Sequence, residues 1–316
     1  MHTILMVLLA NAGAMVFVVG VIIVFNSPRP PTPMQGVASA FAGVDFSDMP
    51  AKQSYAARDG TVLAYRAYPG DPKKVVVVIH GSSGTTASVH PLSRAINQTG
   101  ATVYALAVRG HDCTGRSGDT DYVGQLDDDL VDFMKTLVRI DGETRTLFGF
   151  SSGGGFALRF AGGPHGAMFD RLVLVSPQFP HDAPTSRPNA GGWVSIALPR
   201  FVCLLILSRL GISAFGGLPV LAFAISPDMK DVQTARYSFR MLRNFGPTDD
   251  YLDDVRRVPG PVRVFVGSDD EIHKADQYAP LLKPVRSDVK VTIIPGFGHM
   301  DVTIRPSALE VIAAAT

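Results

Sequence analysis

A chain of 316 residues, 46% hydrophobic and 18% charged, describes one sizeable globular domain with an apolar surplus and excludes a disordered or fibrous class. Its 29 basic and 28 acidic residues leave a net charge of +1, and no basic run interleaves with aromatics, so no nucleic-acid partner is expected. Cys113 and Cys203 lie far apart, without a Cys-x-x-Cys pair or a histidine at ligand spacing, which argues against a structural zinc.

Residues 4–25 carry no charge, and as a helix they would extend about 33 Å, enough for a bilayer core. A cleaved signal peptide is the rival, because Ala40-Phe41-Ala42 resembles a small-x-small cleavage site and cleavage would make the protein secreted or periplasmic. The missing Lys or Arg at the start, and the distance to that site, favour a single-pass membrane anchor over residues 1–27. Its facing side is unspecified, since only Arg29 follows and only His2 precedes. Residues 28–50, rich in proline and polar side chains, read as a linker holding the domain off the membrane.

The folded domain, residues 51–316, should open with a β-hairpin around Arg58-Asp59-Gly60. The β-branched run 75–79 marks a strand buried on both faces and hence a parallel sheet. A helix to Gly100, a strand at 102–108, a loop at 109–118 and a helix at 122–139 follow. Asp127, Asp128 and Asp129 on that helix diverge by about 100° each, so a solvated face is expected rather than a metal site. Strands at 146–148, 171–175, 262–266 and 289–294 continue the strand–helix alternation of a doubly wound α/β sheet. Residues 177–260 break the rhythm and read as an inserted helical cap, with an apolar stretch at 201–225.

One turn carries candidate chemistry. Gly149-Phe150-Ser151-Ser152-Gly153 lies between a buried strand and a helical pattern, where glycines remove the Cβ atoms that would collide and the central serine is pushed out above the sheet. The Ser152 amide would stand at a helix N-terminus, aimed at an oxyanion beside the Ser151 hydroxyl. Thirty-one glycines make the pattern weak by itself, so the partners decide. A serine hydroxyl needs an imidazole as base, and the imidazole needs a carboxylate to fix its tautomer. After such a turn the expected chain order is serine, acid, histidine. His299, flanked by glycine after the last strand, is the candidate base, with His273 as fallback. Asp269 and Asp270 compete as the acid, ahead of Glu271 and Asp276. The second oxyanion donor is expected from the loop after residues 75–79, at the Ser82 amide.

These elements together resemble the α/β-hydrolase superfamily, and most closely its monoacylglycerol lipase, lysophospholipase and serine aminopeptidase branch. The residues that carry the resemblance are His80-Gly81, Arg109-Gly110-His111 before Ser117-Gly118, the turn Gly149 to Gly153, Gly267-Ser268-Asp269-Asp270 and Gly298-His299. Related sequences often have Asp where this chain has Ala107 and Gly where it has Asp112. The resemblance implies the α/β-hydrolase fold with a cap insertion, Asp270 as the acid by the loop pattern Gly-Ser-x-Asp, and no cofactor. It also implies a serine esterase acting on hydrophobic or acyl-lipid esters. An aminopeptidase or amidase with the same triad is the alternative, which Asp249, Asp250, Asp253 and Asp254 could serve by holding an amine; a non-catalytic binding protein is a third.

Overall fold

The run Val75, Val76, Val77, Val78 and Ile79 is almost wholly buried, and its alternate side chains enter two different apolar layers. Val75, Val77 and Ile79 join one, Val76 and Val78 the other. The computed structural model describes residues 2–38, 40–229 and 232–315; Met1 and Thr316, which bound the expected domains, lie outside them. In chain order its elements are α1 (His2–Phe25), α2 (Gln35–Ala38), β1 (Lys52–Ala56), β2 (Val62–Tyr68), β3 (Asp71–Ile79), α3 (His90–Gln98), β4 (Ala101–Leu106), α4 (Gln125–Thr136), β5 (Thr144–Phe150), α5 (Ser152–Gly162) and β6 (Arg171–Val175). A cap follows, with β7 (Val194–Ile196), α6 (Leu198–Arg209), β8 (Pro219–Phe223), β9 (Arg236–Ser238), α7 (Phe239–Asn244) and α8 (Tyr251–Arg257). The chain then returns through β10 (Val262–Gly267), α9 (Tyr278–Leu282), β11 (Lys290–Ile294) and α10 (Pro306–Ala313).

The main sheet has eight strands in the order β1-β2-β4-β3-β5-β6-β10-β11. From β4 to β11 every pairing is parallel, while β1 and β2 add an antiparallel edge. This is the expected α/β-hydrolase arrangement. Leu126, Leu130 and Phe133 of α4 and Phe156 and Phe160 of α5 cover one face. Leu92 and Ile96 of α3 and Leu309 and Ile312 of α10 cover the other. Such a sheet brings the carboxyl ends of β3, β5, β10 and β11 to one edge, where the loops that follow them meet.

Three expectations change. The insertion is not purely helical, because β7, β8 and β9 form an antiparallel sheet of their own inside it. Those strands have three to five residues, too few to declare a period of two. The aspartates of α4 do not form a solvated face: Asp129 is buried against Arg109, Asp127 pairs with Arg159 and Asp128 with Arg58. They diverge as their spacing requires, toward three different arginines.

The third change is at the N-terminus. Residues 2–25 form α1, but the membrane anchor expected there is corrected: among the described residues no helix is long and apolar enough to cross a membrane. The membrane partner and membrane localisation that rested on it are left without support. Instead the end of α1 docks on the cap of its own chain. Ile23 is buried with Leu204, Val220 and Phe239, and the Arg200 guanidinium donates to the carbonyls of Val24 and Pro219. A cation at a helix C-terminus meets the negative end of the helix dipole. Nor is the 28–50 stretch a free spacer. The Met34 amide donates to Ala224 O, Ala40 is buried, and Val37, Phe41 and Val44 pack on the core.

Candidate active site

Ser151 ends the passage from β5 to α5 with φ 54° and ψ −121°, a conformation that costs a non-glycine residue on the order of 1–3 kcal/mol. Its neighbours make it possible. A Cβ on Gly149 would lie 2.3 Å from Gly153 O, and one on Gly153 would lie 2.3 Å from His80 O. The backbone around Ser151 is fixed from three sides, by Ser151 N to Val175 O, Gly154 N to Ser151 O and Gln178 N to Ser151 O. The result is a buried serine whose hydroxyl faces the loop after β11.

That loop carries His299. The His299 amide donates to Glu271 Oε2 and the Gly298 amide to Asp301 Oδ2, so carboxylates on both sides hold the turn. His299 Nε2 lies 3.0 Å from Ser151 Oγ, and His299 Nδ1 lies 2.9 Å from Asp270 Oδ2. Asp270 Oδ1 accepts from the amides of Ile272 and His273 at 2.9 and 2.8 Å. Burial pushes the Asp270 carboxyl up, but the charge and hydrogen bond of His299, with His273 adding to them, outweigh it and hold the group well below the carboxylate range. An ionised Asp270 accepts a hydrogen bond from Nδ1–H, which leaves Nε2 as the acceptor facing Ser151 Oγ–H. The arrangement therefore has a defined polarity, from hydroxyl to imidazole to carboxylate.

The rival candidates are placed elsewhere. Asp269 is exposed and accepts from the Ser268 hydroxyl. The His273 ring lies 5.2 Å from the His299 ring, centroid to centroid, and both of its nitrogens are buried with no hydrogen-bond partner among the described residues. Burial, which outweighs the nearby Asp270, pushes the His273 imidazole down to about 3. Asp276 lies in the turn before α9, its carboxylate taking Gln277 Nε2.

The loop after β3 closes over Ser151 so tightly that a Cβ on Gly81 would stand 3.1 Å from Ser151 Cβ. Ser82 Oγ accepts from Trp193 Nε1 at 3.0 Å, and the Ser152 hydroxyl donates to Gln178 Oε1. Among the described residues no protein acceptor takes the amide of Ser82 or of Ser152. A cavity of about 30 Å³ opens beside Ser151 and His299, walled by Val37, Phe41, Trp193, Gln233 and Met300. A larger hollow, about 400 Å³, lies at the opposite, amino end of the strands among Pro69, Tyr104, Leu137 and Glu143, away from this chemistry. The Val37 and Phe41 walls were invisible in the sequence, where their segment read as a spacer. Trp193 was the chain's single tryptophan in the insertion, a signal that the cap had an anchored face.

Comparison with known proteins agrees with this fold. The pattern of the serine aminopeptidase S33 family matches residues 70–302. The monoacylglycerol lipase of Mycolicibacterium smegmatis (strain ATCC 700084 / mc(2)155) is 32% identical over 134 residues, 40% of this chain and 46% of that protein, so the match spans about half of that relative's length. Among solved structures, the monoacylglycerol lipase of Paleococcus ferrophilus superposes with a TM-score of 0.60 at 18% identity, over 80% of this chain and 99% of that one. A soluble variant of the monoglyceride lipase of Saccharomyces cerevisiae gives 0.64 at 18% identity, over 86% and 96%.

Proposed function

The chain belongs to the serine aminopeptidase S33 family of α/β-hydrolases, and from that premise we propose that it is a serine hydrolase cleaving carboxylic esters with hydrophobic acyl groups. Ser151 attacks the acyl carbonyl as His299 Nε2 takes its proton. Asp270 holds the imidazole and offsets the charge it gains. The amides of Ser82 and Ser152 receive the oxyanion, His299 returns the proton to the leaving alcohol, and water then releases the acyl group from Ser151 by the same steps in reverse. The observation that carries this reading is the continuous hydrogen-bonded line from Ser151 Oγ through His299 to an ionised Asp270.

The substrate class follows from the walls. Val37, Phe41, Trp193 and Met300 favour an apolar acyl chain, with a monoacylglycerol- or lysophospholipid-like ester as the candidate. Three of the four acidic residues that an aminopeptidase could aim at a substrate amine are already paired with arginines, and Asp250 does not line the cavity beside Ser151. Asp249 pairs with Arg243, Asp253 with Arg256 and Arg257, and Asp254 with Arg257, and none lines the cavity beside Ser151. A panel of p-nitrophenyl esters and monoacylglycerols of graded chain length, run beside aminoacyl p-nitroanilides, tests this. Turnover of the esters at least a hundredfold above the anilides is expected; preference for the anilides would overturn it.

A further inference from the structure

The loop that supplies the Ser82 amide is tied to the cap. Ser83, which follows it, has φ 62°, the left-handed region that a non-glycine residue keeps only under outside restraint. Within the loop Gly84 N closes a turn on Gly81 O and His80 Nδ1 lies 2.8 Å from the same carbonyl; the bonds that Ser82 and Ser83 make beyond the loop come from one direction. Ser83 N donates to Tyr237 Oη at 2.9 Å, Thr234 N donates to Ser83 O at 3.3 Å, and Trp193 Nε1 donates to Ser82 Oγ at 3.0 Å. All three partners belong to the insertion between β6 and β10.

Tyr237 is the best fixed of them. It lies on β9, is 1% exposed, and packs edge-on against Phe223 at 4.6 Å and His111 at 5.2 Å between ring centroids. Its hydroxyl oxygen is 2.5 Å from His111 Nε2. His111 Nδ1 is 3.2 Å from Arg109 O, and a carbonyl only accepts, so Nδ1 carries the proton. Burial, reinforced by neighbouring His80, pushes His111 down to about 3, so the ring is neutral and its Nε2 must accept. The Tyr237 hydroxyl therefore donates to His111, and its lone pair is left for the Ser83 amide.

We propose that Tyr237 is a positioning residue for oxyanion formation: its hydroxyl, oriented by His111, fixes the Ser82–Ser83 peptide so that the Ser82 amide faces the oxyanion beside Ser151. The cap then sets transition-state stabilisation as well as the shape of the pocket. The proposal rests on Ser151 being the nucleophile and Ser82 an oxyanion donor. Tyr237→Phe removes the hydroxyl and keeps the ring, and a misplaced oxyanion donor should lower kcat by about 10- to 100-fold with KM changed less than about twofold.

The test measures kcat and KM on full-length protein with a p-nitrophenyl ester, each rate divided by the active sites titrated with a fluorophosphonate, so that only folded, reactive molecules are counted. Tyr237→Phe and His111→Leu should show similar losses in kcat, and the double variant should be no slower than the slower single one. His111→Gln, whose amide oxygen can accept the same proton, should recover at least about fivefold of what His111→Leu loses. A Tyr237→Phe enzyme within twofold of wild type per titrated site, a loss confined to KM, or losses that multiply in the double variant would overturn the relay. Ser151→Ala separates the premise from the proposal. Full hydrolysis by that variant defeats the nucleophile assignment itself, whereas an inactive Ser151→Ala beside a normal Tyr237→Phe defeats only the relay.

Discussion

Asp270 gives His299 a carboxylate with no oxygen idle. Oδ2 lies 2.9 Å from His299 Nδ1, and Oδ1 is taken by the amides of Ile272 and His273. Asp270→Asn would present an amide that can turn its NH₂ toward Nδ1 and select the wrong tautomer, so kcat should fall on the order of 10³- to 10⁴-fold. Asp269→Asn, whose carboxylate is exposed and bound to Ser268, should stay within about twofold. Ester turnover of both purified variants checks the pair, and equal losses would contradict the assignment of Asp270.

The turn at Ser151 should not tolerate a single methyl group at Gly153. Its Cβ would stand 2.3 Å from His80 O and 2.7 Å from Ile79 O, both backbone atoms. Gly153→Ala should therefore cost about 1–3 kcal/mol of stability, and any backbone shift that relieves it should displace the Ser152 amide and lower kcat. Urea unfolding together with kcat measures both; a variant unchanged in each would refute the close approach.

Arg200 ties the end of α1 to the cap through Val24 O and Pro219 O. Arg200→Ala should leave those carbonyls without the donor, at a cost of about 1–3 kcal/mol, and should free the helix from its dock. Amide exchange in residues 19–26 should accelerate while exchange in β3 and β5 stays slow. Unchanged exchange in that stretch would show that the apolar contacts of Ile23 suffice.

Acid should weaken the fold through two buried histidines. His111 and His273 are both held down to about 3, chiefly by burial, against an ordinary value of 6.5. The unfolded chain takes up protons there that the folded chain refuses, so this contribution is fully present above pH 6.5 and is lost as pH falls from 6.5 toward 3. Each histidine contributes up to about 1.4 kcal/mol per pH unit in that window. Urea midpoints between pH 7.5 and 5 measure the slope, and His273→Phe should flatten it by one histidine's share; an unchanged slope would contradict the buried neutral state.

The scaffold was legible because its signals are local and repeated. A five-residue β-branched run can only sit where both faces are covered, and the glycines around Ser151 announce a turn that a Cβ would block. His299 and Asp270 lie on loops after late strands, so chain order alone points to their edge of the sheet. The cap was harder to read, since its strands are too short for alternation and its contacts with the loop at Ser83 join residues more than a hundred positions apart. At the N-terminus composition pointed to a bilayer span, whereas in the fold the side chain of Ile23 near the end of that stretch packs on this chain's own cap. The segment after it read as a spacer because proline and polar residues dominate it, yet Val37 and Phe41 wall the cavity beside Ser151. Tyr237 carried no motif at all, because its contact with His111 joins residues 126 positions apart in the chain.

Fluorophosphonate labelling followed by peptide mapping tests the central assignment most directly. One adduct per chain, located on Ser151 and absent together with ester turnover from Ser151→Ala, is the predicted result. An adduct on another residue, or a Ser151→Ala protein that still labels and still hydrolyses esters, would contradict it.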